Sequence, residues 1–222
     1  MKIFIPMAGK GTRLRPFTLT RPKPLLEIID KPIVEHLINQ ITSTLSSEIE
    51  EIIYILGEEA YFNSAIVDSL TLISKKYNAK TKVYRQLDKL GTGHAIMCAE
   101  ESLSGPAIIA YADTMIQGKI EIDSKVDGMI WVKKVENPSS YGVVNLDRES
   151  NVTELIEKPK TFVSDLAVVG IYYFKEISLI RDELRIHLKE KLAPGKEYLL
   201  NYGIEKMIEN NKIFKSQEIE TW

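Results

Sequence analysis

Residues 5–18, IPMAGKGTRLRPFT, combine glycines with cationic side chains directly after a short apolar run. Gly9 and Gly11 would let the backbone come close to a phosphate, with N–H groups directed at the anion. Arg13 and Arg15 add guanidinium groups that can donate paired hydrogen bonds to phosphate oxygens. The stretch therefore indicates a polyphosphate-binding loop, and a tight turn with solvated basic side chains is the alternative.

The glycine spacing matches neither of the two common phosphate-binding motifs. In a Walker loop the lysine follows the second glycine, whereas Lys10 precedes Gly11 here. A dinucleotide-binding fingerprint needs a third glycine three residues after the second, and that position holds Leu14. A nucleotide bound by this loop would therefore belong to neither class of site.

Further charged side chains lie in contexts that suit phosphate chemistry. Lys23 follows in the segment RPKP, Asp113 ends the apolar run AIIAYAD, and the pair Glu157-Lys158 precedes a proline. Each has an ordinary structural interpretation: Lys23 could be solvated, Asp113 could close a turn, and the pair could lie on the surface. The residue types alone leave both interpretations open.

The elements that must position these residues alternate regularly in the first half of the chain. Apolar residues from Ile33 to Ile41 repeat at helical spacing after Asp30, which we expect to cap that helix. The predicted order is strand 2–6, helix 30–45, strand 51–57, helix 58–77, strand 80–86, helix 92–103 and strand 106–113. This alternation predicts an α/β fold with a parallel sheet covered by helices on both faces.

After residue 125 the pattern becomes richer in strands. Strand-like runs cover 128–135, 141–147, 152–159 and 166–174, followed by helices near 176–190 and 197–210 and a last strand at 212–222. These runs predict a mixed or antiparallel extension of the sheet. We expect one domain, residues 1–222, with a nucleotide-binding half at 1–125 and a second half at 126–222.

Composition limits the function classes. The net charge of −2 gives no basic field for nucleic acid, and the single Cys98 excludes an internal disulfide or a cysteine zinc site. His36, His94 and His187 are too scattered for a metal motif, and no apolar run is long enough to span a membrane. The stretch MKIFIPMAG has one lysine and too short an apolar run to predict a signal peptide. We expect a cytoplasmic protein that binds neither nucleic acid nor membranes.

A few chemically capable side chains are assigned to packing. His94 begins a predicted helix, and Cys98 lies on the same helix as a small apolar residue. The aromatic residues 172–174 alternate with strand spacing, which favours a core position over a stacking surface.

An ordered series of segments follows the glycine loop. It runs GKGTRLRPFT, RPKPLLEI, QLDKLGTGHAI, YADTMI, YGVV, IEKP and VVGIYYF. In this order and at these separations the segments resemble those of the sugar nucleotidyltransferases, the nucleoside-diphosphate-sugar pyrophosphorylases. The resemblance covers nearly the full chain and implies that residues 126–222 form the sugar-phosphate-binding half. It implies a Rossmann-like nucleotide-diphospho-sugar transferase fold with a central mixed, mostly parallel sheet.

The resemblance also implies a reaction and its catalytic residues. The family joins a sugar 1-phosphate to the nucleotidyl unit of a nucleoside triphosphate and releases pyrophosphate. The nucleophile is already anionic, because a phosphate monoester has a second pKa of about 6, so no general base is needed. Arg13 would hold pyrophosphate, Lys23 would neutralise the reacting phosphates, Lys158 would hold the sugar phosphate and Asp113 would bind Mg²⁺.

The remaining site residues follow from the same resemblance. The nucleotide would contact Ala8, Gly9, Gly11, Thr12, Gln86, Gly91 and Thr92, and the sugar would contact Gly142, Glu157 and Val168. Glutamine can donate and accept, which suits uracil or thymine. UTP and dTTP stay open, because one methyl group changes binding by only about 1–3 kcal/mol. Val168 stands where relatives that use N-acetylglucosamine tend to carry Asn, so glucose 1-phosphate is favoured.

Departures from the family pattern leave alternatives open. Ala112 replaces the usual glycine before the metal aspartate, and a second aspartate expected shortly after Trp222 is missing. We expect that the natural chain continues beyond Trp222. The alternative functions are a guanylyl- or adenylyl-transferring enzyme, or a weakly active regulatory homologue that binds a nucleotide sugar. A homo-oligomer also stays open.

Overall fold

Parallel strands form the centre of the structure, a computed structural model that describes residues 1–45 and 47–222. The strands are β1 (Lys2–Pro6), β2 (Glu27–Ile28), β3 (Lys31–Pro32), β4 (Glu51–Leu56), β5 (Lys80–Arg85), β6 (Ala107–Ala110), β7 (Gly128–Lys134), β8 (Gly142–Leu146), β9 (Val152–Glu157), β10 (Leu166–Phe174) and β11 (Phe214–Glu218). The helices are α1 (Ile33–Thr44), α2 (Ser64–Lys76), α3 (Thr92–Met97), α4 (Ser178–His187) and α5 (Leu200–Glu209).

In the described part of the chain the main sheet has nine strands and joins both halves of the sequence. Its central order is β11-β7-β10-β6-β1-β4-β5, with β8 and β9 attached beside β10. Strands β5, β4, β1 and β6 are parallel, whereas β10 runs antiparallel to β6 and β7 antiparallel to β10. The predicted mixed, mostly parallel α/β sheet is therefore confirmed.

Alternating strand residues build two separate apolar cores. Ile3 and Ile5 of β1 face a core with α1 and α2, while Phe4 faces a core with α3, α4 and α5. Successive side chains of a strand point to opposite faces, so a continuous apolar run such as IFI is what a doubly covered strand requires. Trp131 and Tyr172 extend the two cores into the second half of the chain.

Two predicted helix starts are corrected. Helix α1 begins after Pro32 with no side-chain cap, because Asp30 lies in the turn of a β2–β3 hairpin, where its carboxylate is 4.0 Å from His36 Nε2. Helix α2 begins at Ser64 rather than near 58, since Asn63 accepts a hydrogen bond from the Ile66 N–H and caps the helix there. In the described residues no helix is both long and apolar enough to cross a membrane.

Candidate active site

The parallel strands β1, β4, β5 and β6 end at the same edge of the sheet, the usual ligand-binding edge of open α/β folds. Three concave pockets adjoin at this edge. Thr92, the first residue of α3, lines all three. Its hydroxyl accepts a hydrogen bond from the backbone N–H of Leu200 (3.0 Å), which ties α3 to α5 where the pockets meet.

Each of the three pockets takes its name from residues that line it. The glycine-loop pocket, about 290 Å³, is lined by residues that include Gly9, Gly11, Lys23, Tyr111 and Asp113. The Gln86 pocket, about 230 Å³, includes Ala8, Gly9, Gln86, Gly91 and Glu197. The Glu157 pocket, about 480 Å³, includes Asp113, Gly142, Glu157, Lys158, Val168, Asn201 and Trp222. Most site residues predicted from the sequence therefore lie on one continuous cleft.

The glycine loop is held in a fixed shape by its own residues. Gly11 adopts a φ of +60°, and a Cβ there would lie only 3.0 Å from Lys23 Cβ. Its carbonyl oxygen accepts a hydrogen bond from the Thr18 hydroxyl (2.8 Å), and the Thr18 carbonyl in turn accepts one from Tyr61 (2.6 Å). Glycine is required at position 11 because the loop folds back closely on Lys23.

Lys23 and Asp113 meet although they lie far apart in sequence. The Lys23 ammonium donates to Asp113 Oδ2 at 2.8 Å, across the glycine-loop pocket. Asp113 follows β6 and also lines the Glu157 pocket. The pair therefore stands where a ligand in one pocket would meet a ligand in the other.

Arg13 and Thr12 lie apart from these pockets. Both belong to the exposed 3-10 turn Thr12–Leu14, and neither lines any of the three cavities. Within residues 1–45 and 47–222 Arg13 forms no ion pair. The structure thus brings Lys23 and Asp113 together but leaves Arg13 outside the cleft.

The Gln86 pocket is organised by the loop between β5 and α3. Gln86 is buried, and its amide nitrogen donates to the Gly91 carbonyl oxygen at 2.9 Å. Gly91 has a φ of +114°, and an added Cβ would lie 2.6 Å from the Tyr198 carbonyl oxygen. Tyr198 pairs with both sides of Gly91 through backbone hydrogen bonds to Leu90 and Gly93 (2.7 Å each). Residues 188–199, which we call the strap, therefore fix this loop.

The Glu157 pocket contains a chain of hydrogen bonds that joins the half-buried Glu157 to the buried Asn201 and Tyr172. Paired strands β8 and β9 place Gly142 opposite Glu157. Glu157 accepts from the Asn201 amide at 2.9 Å, and Asn201 accepts from the Tyr172 hydroxyl at 2.8 Å. Lys158 is mostly exposed, 3.5 Å from the Glu157 carboxylate. One oxygen of the Glu157 carboxylate therefore accepts a hydrogen bond from Asn201, and the other lies near the Lys158 ammonium.

Several lining residues were not predicted as site residues. Tyr172 was assigned to the core, and it is buried, but its hydroxyl belongs to the polar network. Burial raises the pKa of Tyr172 well above its usual value and also raises that of Tyr111, so both phenols stay protonated donors. Asn201 lies in the first turn of α5. The sequence indicates it in one way only, as a polar residue within the apolar stretch LLNYGI at the start of that helix.

Comparison with known proteins decides the family. The family model described as nucleotidyl transferase matches residues 4–218. The chain belongs to the nucleotidyl transferase family. The bifunctional protein GlmU of Methanococcus maripaludis is 33% identical over 217 residues, covering 96% of this chain and 48% of that protein. The catalytic subunit beta of mannose-1-phosphate guanylyltransferase from Danio rerio is 31% identical and covers 83% of this chain and 52% of its own length.

Solved structures share the nucleotidyl transferase fold. A nucleoside-diphosphate-sugar pyrophosphorylase from Vibrio cholerae superposes with a TM-score of 0.82 at 19% identity, covering 98% of this chain and 91% of that one. A UDP-glucose pyrophosphorylase complexed with UDP-glucose gives 0.77 at 22% identity, with 100% and 91% covered. The chain spans about half the length of the curated relatives it matches first.

Proposed function

We propose that this nucleotidyl transferase moves a nucleotidyl group from a pyrimidine nucleoside triphosphate, UTP or dTTP, to a hexose 1-phosphate, with glucose 1-phosphate favoured. The Lys23–Asp113 pair is the observation that carries the proposal. It lies between a pocket with a glycine loop and a pocket with hydroxyl-binding side chains, where two phosphorylated ligands would meet. Attack at the α-phosphorus joins the ligands and releases pyrophosphate.

The reaction needs positive charge more than it needs a base. A phosphate oxygen of the sugar 1-phosphate forms the new bond to the α-phosphorus, and the bond to the β-phosphate oxygen breaks. Lys23 would neutralise charge that two polyanions bring together, and Lys158 would hold the sugar phosphate. Arg13 remains a proposed ligand of pyrophosphate on the strength of the sequence pattern, because its turn adjoins the glycine loop.

Asp113 is the residue that would hold Mg²⁺. Among the described residues no cluster of three or more metal-ligating side chains exists, so a bound ion would take its other ligands from phosphate oxygens and water. That donor set fits Mg²⁺, which is commonly held by one or two carboxylates together with substrate phosphates. When bound, the ion would stabilise charge on the phosphates.

The base preference rests on the Gln86 pocket. Gln86 and the Gly91 backbone offer hydrogen-bonding groups side by side, which suits the imide edge of uracil or thymine. The names of two structural neighbours, a UDP-glucose pyrophosphorylase and a putative glucose-1-phosphate thymidylyltransferase, also favour a uracil or thymine nucleotide. Guanylyl transfer is the second candidate, favoured by the relative named mannose-1-phosphate guanylyltransferase.

The sugar preference rests on the Glu157 pocket. Glu157, Asn201 and Tyr172 present carboxylate, amide and phenol groups that can bind hydroxyls, and Val168 places an apolar surface among them. An apolar side chain offers no partner to an acetamido group, which favours a plain hexose.

A pyrophosphate-release assay tests the proposal. UTP, dTTP, ATP and GTP are each combined with the 1-phosphates of glucose, N-acetylglucosamine and mannose in the presence of Mg²⁺. We expect release with UTP or dTTP and the highest rate with glucose 1-phosphate. A best rate with GTP and mannose 1-phosphate would replace the proposal by the second candidate. Nucleotide binding without release in any combination would favour the regulatory homologue.

A further inference from the structure

The side-chain amide of Gln86 is held from two sides. Its nitrogen Nε2 donates to the Gly91 carbonyl oxygen at 2.9 Å and lies 3.1 Å from Nδ1 of His94. A carbonyl oxygen only accepts hydrogen bonds, so the NH₂ group must be the side of the amide that faces Gly91. Its second hydrogen then meets Nδ1 of His94, which must carry a lone pair rather than a proton.

His94 has the protonation state that this contact requires. Burial lowers the pKa of His94, while the charge and the backbone oxygen of Asp88 act in the opposite direction. The ring is therefore neutral near pH 7. With Nδ1 used as an acceptor, its single proton belongs on Nε2, toward a partner other than Gln86. The ring lies on α3, whose start is fixed by the hydrogen bond between Thr92 and Leu200.

Because both contacts use the amide nitrogen of Gln86, only its oxygen Oε1 is left for a ligand. Gln86 lines its pocket, and in the described part of the chain its Oε1 accepts no hydrogen bond. In that part of the chain, Oε2 of Glu51 is the only fully buried side-chain nitrogen or oxygen without a hydrogen-bond partner, so Oε1 of Gln86 reaches accessible space. Gln86 then acts toward a ligand as an acceptor and not as a donor.

We propose that His94 is a positioning residue for base selection, holding the Gln86 amide so that its oxygen faces the base. This inference rests on the proposed function and deepens it. Uracil and thymine present an N3–H donor to such an acceptor, whereas cytosine presents a lone pair at the same ring position. The pocket would thus reject amino pyrimidines because two acceptors would face each other.

Binding of UTP and CTP to matched variants tests this role. The two nucleotides share ribose and phosphates and have nearly the same size, so their ratio of dissociation constants isolates the base edge. The variants are His94→Ala, which removes the acceptor, and His94→Asn, whose side-chain oxygen can take the place of Nδ1. Cys98→Ala, one turn along the same chain segment, is the control, because Cys98 makes no hydrogen bond with Gln86.

We expect His94→Ala to lower the preference for UTP over CTP by roughly two- to tenfold, the contribution of one hydrogen bond. His94→Asn and Cys98→Ala should keep the wild-type preference, and turnover at saturating UTP should change less than the KM for UTP. A wild-type preference for UTP that His94→Ala leaves intact would overturn this inference alone. A wild-type protein that binds CTP as tightly as UTP would overturn the proposed preference for UTP or dTTP, and this inference with it.

Discussion

At the scale of single residues, the Lys23–Asp113 pair matters for charge placement more than for stability. Both side chains are partly exposed, 31% for Lys23 and 54% for Asp113. Ion pairs in such positions stabilise a fold by only about 0–1 kcal/mol. The same two groups stand at the junction of two pockets, where a ligand would replace the water around them. Their effect on a reaction should therefore far exceed their effect on folding.

Replacing Asp113 by Asn separates these two effects. We expect Asp113→Asn to lower turnover roughly a hundredfold or more, because it removes the carboxylate that the glycine-loop pocket and the Glu157 pocket share. The midpoint of thermal unfolding should stay close to that of the wild type. Glu58→Gln is the matched control. Like Asp113→Asn it neutralises a carboxylate that is paired with a lysine, in this case Lys10 at 3.0 Å, but Glu58 lies outside the three pockets. Turnover of Asp113→Asn within a few-fold of wild type would remove Asp113 from the reaction.

The hydrogen bonds of the buried Asn201 side chain have both a structural and a ligand-binding consequence. Asn201→Ala leaves the Tyr172 hydroxyl and one Glu157 oxygen without their partner, which we expect to cost about 1–3 kcal/mol of unfolding free energy. It should also raise the KM for glucose 1-phosphate while the KM for UTP stays unchanged. Asn210→Ala is the control, because Asn210, which directly follows α5, also donates its side-chain amide to a glutamate but is exposed. Parallel increases in both KM values would contradict this assignment.

At the scale of elements, the strap at 188–199 explains how the loop before α3 keeps its shape. The strap has no helix or strand of its own, but Tyr198 pairs through its backbone with Leu90 and Gly93. Tyr198 also fills the space in which a side chain at Gly91 would lie. The Gln86 pocket therefore depends on a segment more than 100 residues away in the sequence.

A substitution at Gly91 tests this dependence. Gly91→Ala places a Cβ 2.6 Å from the Tyr198 carbonyl oxygen at a φ of +114°, so both a clash and backbone strain result. Gly195→Ala in the strap itself is the control, since its φ is +79° and no atom lies within 4 Å of the added Cβ. We expect urea unfolding to show a loss of about 1 kcal/mol for Gly195→Ala and a clearly larger loss for Gly91→Ala. UTP binding should weaken only in Gly91→Ala, and equal effects of both variants would contradict the role of the strap.

The sequence patterns predicted most elements, and their failures have local physical causes. Apolar runs such as IFI and AIIA marked buried strands, because both faces of the sheet are covered. The predicted cap at Asp30 was wrong because Ile29 and Asp30 form the turn between the paired strands β2 and β3. Helix α1 can begin only after β3 ends. Tyr172 and Asn201 escaped prediction as site residues because their hydrogen bond joins residues 29 apart in sequence. Helical and strand periodicities carry no signal for such a contact.

At the scale of the whole molecule, the order of strands brings two halves of one site together. Strands β1 and β5 come from the first half of the chain, and the segments that follow them line the glycine-loop and Gln86 pockets. Strand β10 comes from the second half and pairs directly with β6, the strand that precedes Asp113. The phosphates of two ligands would therefore meet near the end of β6. Nucleotidyl transfer requires such a meeting point, because the sugar phosphate must reach the α-phosphorus of the nucleotide.

The most direct test of nucleotidyl transfer follows the phosphorus atoms themselves. Phosphorus NMR records the products when the protein is mixed with Mg²⁺, glucose 1-phosphate and either UTP or dTTP. We predict that the glucose 1-phosphate signal disappears in step with equal gains of a nucleotide-sugar diphosphate and pyrophosphate. Release of a nucleoside monophosphate with glucose 1-phosphate untouched, or of a nucleoside diphosphate with inorganic phosphate, would contradict attack by the sugar phosphate at the α-phosphorus.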